Sequence, residues 1–198
     1  MLRHVYHRIG LNSNLDWLNF FVNISGGIVV NALFPVIQNI LPDIVVGTYK
    51  RSYKRIYETT FHELSHASHF SQVGSAFWAE YINYIVTYGA YGDGKGNNAE
   101  LCGVGEMWGY AMGHIRECEK YETEKLDNPY SENGWAKHWF KPDVFWDLYR
   151  NNILTKKEIY DCLTSDVKTY AKLIAKMCAL YPDVVDEIES TFHNYGIR

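Results

Sequence analysis

Residues 59–70 read TTFHELSHASHF. Four side chains that bind metals or protons, His62, Glu63, His66 and His69, fall within eight positions of a stretch that otherwise reads as helix. Phe61, Leu64, Ala67 and Phe70 give that helix an apolar side, so it packs against other elements instead of lying free in solvent. Polar groups are costly to bury without partners. The fold must therefore supply partners for these imidazoles and this carboxylate, and no other segment constrains it as much.

His62 and His66 are four residues apart, so a helix points both to one side, one turn from each other. Two imidazoles so placed can share one zinc at about 2.0–2.1 Å. Glu63 sits next to the first imidazole, off the metal but near enough to take a proton from a zinc-activated water. This is the H-E-x-x-H pattern, whose spacing has a mechanism behind it. Chemistry at zinc needs a third protein ligand and an open fourth position. The metzincin extension would require Gly at 69 and His at 72, and the residues there are His69 and Gln72, so that class is excluded. His69 lies on the face of His62 but about 7.5 Å along the axis from the midpoint of the pair. It is expected to line the cleft or to hold a supporting hydrogen bond.

The candidate third ligand is Glu106, within CGVGEMWGYAMGH at 102–114. Gly105, Gly109 and Gly113 recur every four residues beside it. Each glycine costs a helix about 1 kcal/mol relative to alanine, so three of them point to a close helix approach. Gly109 and Gly113 share the face of Glu106, and that smooth face could press on the zinc helix and deliver one carboxylate. Tyr110 and His114 are the candidates for a donor to a developing oxyanion.

HELSHASHF followed by GVGEMWGYAMG resembles a family of bacterial zinc metallopeptidases of the gluzincin type, many of whose members are exported or lipid-anchored. The resemblance runs from PDIVVG at 42–47 through GEMWGYAMG at 105–113 and is weaker beyond. It implies His62, His66 and Glu106 as zinc ligands, Glu63 as general base, and a peptide or protein as substrate. It also implies export to the cell envelope or beyond. The logic is similar to that of thermolysin-like peptidases, although the 39 residues between His66 and Glu106 exceed the spacing usual there.

A chain of 198 residues makes one domain with a real core, and 47% hydrophobic with 16% aromatic residues argues against disorder. A net charge of -4 gives no case for nucleic acid or an anionic membrane. Cys102, Cys118, Cys162 and Cys178 form no C-x-x-C pair, so a cysteine zinc site of that kind is not expected. Two disulfides and four free thiols are both compatible with that count. Near the N-terminus, Arg3, His4, His7 and Arg8 precede an apolar-leaning run over 18–37. Asn19, Asn23 and Asn31 interrupt that run and Pro35 closes it, so folded domain is expected there, with no clear signal peptide and no membrane span.

The fold class expected is α+β, predominantly α-helical and zincin-like. The single domain would comprise a mixed front part over 1–51, the metal-site helices over 52–122, and a helical part over 123–198. A short helix over 14–21 and two strands, GIVVNALF at 27–34 and DIVVGTY at 43–49, would form the front with its small sheet. The second strand could offer an edge to an extended peptide. Helices follow over 53–72, 75–88 and 100–122, with a glycine-rich loop at 88–98 and a loop at 128–141. Beyond it, one helix starts near Pro142, one starts at Thr155 with Glu158 completing a capping box, one spans 166–181 before Pro182, and a last one spans 183–195. Two rival functions are a zinc-binding module without turnover and a metal-free helical interaction domain using its tyrosines and tryptophans. Oligomeric state is open at this level.

Overall fold

The computed structural model describes residues 9–12, 44–47, 51–89, 91–121 and 139–198. These are predominantly helical. In chain order they form strands β1 (Ile9–Asn12) and β2 (Ile44–Gly47), then the long α1 (Tyr53–Tyr88) and α2 (Ala99–Tyr121). Four shorter helices follow: α3 (Asp143–Arg150), α4 (Lys156–Cys162), α5 (Tyr170–Leu180) and α6 (Val185–Asn194), with a 3-10 turn at Pro182–Val184 before the last. No helix among the described residues is long and apolar enough to cross a membrane. All four cysteines are free thiols.

Ser52 opens α1, its hydroxyl accepting from the Arg55 N–H at 3.2 Å. Gly74, at φ 81° and ψ 177°, then breaks the helix into two limbs. That backbone region is open in practice to glycine alone. The two helices expected over 53–72 and 75–88 are these limbs. Gly89, at φ 72°, ends the second limb with its N–H on the Ile85 carbonyl.

α2 lies along α1, and its glycines mark where the two approach. A Cβ at Gly109 would stand 2.8 Å from the His66 ring, and one at Gly113 would stand 2.7 Å from the Glu58 carbonyl oxygen. The indole of Trp108 ties the helices together by donating to the Ser65 carbonyl at 3.1 Å.

The other face of α2 enters the largest apolar core. Val104, Met107, Ala111 and Ile115 pack there with Phe145 and Leu148 of α3, Leu173 and Met177 of α5, and Ile188 and Phe192 of α6. α4 begins with the expected capping box: Thr155 Oγ1 accepts from the Glu158 N–H, and Glu158 Oε2 accepts from the Thr155 N–H at 2.7 Å. α5 starts at Tyr170, later than the expected 166, because Thr169 caps it while Asp166 sits in a turn under the Thr164 hydroxyl. Gln72, at the end of the first limb of α1, donates to the carbonyls of Tyr160 and Leu163, each at 2.8 Å, and so fastens the two halves.

β2 falls inside the expected strand DIVVGTY and pairs in parallel with β1, Ile9 opposite Ile44 through Asn12 opposite Gly47. β1 was not among the expected strands, since no local alternation marks it. Among the described residues, strand pairing goes no further than this ribbon. Val46 of β2 is fully buried against Ala67 of α1, so the ribbon backs the helix that carries the histidines. The expected helix over 14–21, the strand over 27–34 and most of the loop over 128–141 lie outside the described residues.

Candidate metal centre

The first limb of α1 holds His62 and His66 one turn apart, with their Nε2 atoms 3.0 Å apart. α2 brings Glu106 to the same point. Its Oε2 is 3.8 Å from His62 Nε2 and its Oε1 is 3.7 Å from His66 Nε2. One donor atom from each of the three lies within 4.8 Å of the others, and all three side chains are buried. Two ligand atoms about 2.0–2.1 Å from a tetrahedral ion stand about 3.3–3.4 Å apart, and the observed separations straddle that value. Glu106 Oε2 has no hydrogen-bond partner among the described residues, which leaves it available as a donor to a cation. The residues fit a zinc-class ion.

The site is short of positive charge. Burial, assisted by the charges of His66 and Arg55, holds His62 well below the usual histidine range. Burial alone brings His66 down to about 3. Both imidazoles are thus neutral, which is the form that binds a metal. Burial pushes the Glu106 carboxyl up to about 8 against the opposing hydrogen bond from the Tyr81 hydroxyl. Glu63 is likewise pushed up to about 8, by burial and by the neighbouring Glu106 charge. The buried Glu106 carboxyl and two neutral imidazoles make a donor set suited to a divalent cation, and Glu63 is a second buried carboxyl close by.

Glu63 is 6% exposed, and its Oε2 lacks a hydrogen-bond partner among the described residues. It lies next to His62 on α1 and outside the three-donor group.

Tyr110 is brought to the site. Its ring meets the His62 ring edge-on at 4.3 Å, and its hydroxyl is 2.7 Å from that of Tyr91. His114 is not in the three-donor group. It follows Glu106 by eight residues, about 12 Å of helix rise. Its ring stands against Trp146 and its Nε2 lies 3.5 Å from Cys118 Sγ. His69 is also outside the group, packed edge-on against Phe77 at 5.0 Å and Trp78 at 5.8 Å. The supporting hydrogen bond expected of it is absent, since neither ring nitrogen has a partner among the described residues.

Two residues at the site carried no signal in the sequence. Tyr81, on the second limb of α1, donates its hydroxyl to Glu106 Oε1. Tyr91, from the glycine-rich loop, meets Tyr110. The available hint was that a buried glutamate needs a donor, and the aromatic run FWAEYINYIVTY at 77–88 supplies hydroxyls at helical spacing. Nothing local singles out Tyr81 from Tyr84 or Tyr88.

Comparison with protein-family models, with curated proteins and with solved structures gives no match.

Proposed function

We propose that this chain is a zinc-dependent peptidase of the gluzincin type. The observation that carries the reading is the convergence of His62, His66 and Glu106 from two helices, with the buried carboxyl of Glu63 close enough to feel the Glu106 charge. His62 and His66 would hold the ion through Nε2, and Glu106 through its carboxylate. When bound, zinc supplies a Lewis acid that polarises a peptide carbonyl and makes water acidic enough to attack near neutral pH.

The rest is work for side chains of this chain. Glu63 takes the proton of the attacking water and passes it to the leaving amine; a carboxyl shifted upward toward neutrality suits that exchange. Tyr81 orients Glu106 by donating to the oxygen nearer His66, much as partners of metal-bound groups commonly do. Tyr110, with its hydroxyl on Tyr91, is the proposed donor to the oxyanion. His114, placed against Trp146 and Cys118, is released from that role. The zincin-like element of the reading is β2 packed on the histidine helix through Val46 and Ala67, where an extended peptide would add as a further strand.

Glu63→Gln tests the reading. The variant should keep its zinc, because Glu63 is not a ligand. It should lose about a hundredfold or more in hydrolysis of a mixed peptide library. Equal turnover in the variant and the wild type would remove Glu63 from catalysis. A second reading, a zinc-binding module without turnover, is favoured by burial: His62, Glu63, His66 and Glu106 are all under 10% exposed. Zinc retention with no peptide cleaved by the wild type would select it.

A further inference from the structure

The C-terminal third of α2 carries a second group of donors. We propose that His114, Glu117 and Cys118 bind a second divalent ion of the zinc class, separate from the one at His62 and His66. One donor atom from each lies within 4.8 Å of the others. His114 and Cys118 are four residues apart, with Glu117 between them at three, so all three face one side of the helix.

The separations match a shared ion. A thiolate sulfur about 2.3 Å and an imidazole nitrogen about 2.0–2.1 Å from a tetrahedral ion stand about 3.6 Å apart. Cys118 Sγ is 3.5 Å from His114 Nε2 and 3.8 Å from Glu117 Oε2. His114 is buried, and Trp146, 4.6 Å away between ring centroids, limits how its ring can turn. Glu117 and Cys118 are only half-buried, so an ion can reach the group from solvent. Lys54 Nζ lies 3.9 Å from Glu117 Oε1 and competes with an ion for this carboxylate, so His114 and Cys118 are the principal donors and Glu117 the weaker one.

The donor types select the ion. Thiolate with imidazole favours zinc, cobalt or cadmium over magnesium or calcium, which take oxygen. About 12 Å of helix rise separates His114 from Glu106, far beyond the about 3.5–4 Å of a two-metal centre that shares a substrate. The second ion would therefore act on its own.

Cobalt(II) titration of the purified, metal-stripped protein tests this, because the first centre offers only nitrogen and oxygen donors. Wild type should take up about two ions per chain and develop a sulfur-to-cobalt charge-transfer band. Cys118→Ser should lose that band and one ion while keeping the other, with an unchanged helical circular dichroism spectrum. A wild type without the band would overturn the proposal. A band that survives in Cys118→Ser would also overturn it, by assigning the sulfur to another cysteine. A wild type that binds a single ion with the band, lost in Cys118→Ser, would support this site and count against the centre at His62.

Discussion

The interface of α1 with α2 and the cluster of α3 to α6 are both buried, yet they are built from different materials. In the C-terminal cluster the enclosed groups are mostly apolar, with Phe145, Leu148, Leu173, Ile188 and Phe192 fully shielded, and Thr155 and Thr169 cap the helices they begin. Between α1 and α2, three histidines and two glutamates are enclosed instead. His62 Nδ1, Glu63 Oε2, His66 Nδ1, both His69 nitrogens and Glu106 Oε2 lack partners among the described residues. Packing and capping account for most of the first region, where Trp146 Nε1 and the Tyr170 hydroxyl are exceptions that also lack partners among the described residues. The second contains groups that destabilise a fold, and such groups concentrate where a protein does chemistry.

If that division is right, the largest effect belongs to Glu106→Ala. Removing one of three ligands should weaken zinc by orders of magnitude, measured as metal retained after dialysis against a chelator. His69→Ala should keep the metal and change turnover by less than about 10-fold, because neither ring nitrogen bonds to a ligand among the described residues. The reverse pattern would overturn the ligand assignment. Next comes Phe192→Ala in the apolar cluster, expected to cost about 3–5 kcal/mol in denaturant unfolding while leaving the folded protein's zinc affinity unchanged. Loss of zinc from the folded variant would mean that the two regions are not separable.

Gly109→Ala is smaller and sits at the boundary. Its methyl would meet the His66 ring, and overpacking costs about 1–3 kcal/mol against the about 1 kcal/mol that alanine gains over glycine in a helix. Zinc affinity should fall, with a net destabilisation of about 0–2 kcal/mol in denaturant unfolding. A more stable variant with full affinity would show that the helices have slack at that point. Smallest is Thr155→Ala, which removes a cap worth about 1 kcal/mol and should lower the unfolding midpoint with no effect on metal content.

The same contrast separates what could be read from the sequence from what could not. His62 with His66, the capping box of Thr155 with Glu158, and the glycine face of Gly109 and Gly113 all express helical spacing, so the chain states them locally. The break between the two limbs of α1 was legible for the same reason. Tyr81 on Glu106 spans 25 residues, and Gln72 on the Leu163 carbonyl spans 91. Such contacts depend on how helices meet, which spacing along one helix does not encode. β1 belongs with them: its parallel pairing with β2 joins Ile9 to Ile44, too far apart in sequence for local patterning to set the register. Of the two roles expected of His69 from its place on the helix, the supporting hydrogen bond is not found among the described residues, where the ring packs on Phe77 and Trp78 instead.

The conformation of Gly74 has a mechanical consequence. A straight helix of 36 residues would reach about 54 Å, whereas a compact chain of this length has a radius of gyration of only about 16 Å. The dihedral angles of Gly74 turn what would be an overlong rod into a bracket, and its second arm carries the Tyr81 hydroxyl to Glu106. Among the described residues no atom lies within 4 Å of the place a Cβ would occupy there, so a larger residue would meet no obstacle from them. It would meet a torsional penalty of about 1–3 kcal/mol, relieved only by straightening the bracket and swinging its second arm away from the carboxylate.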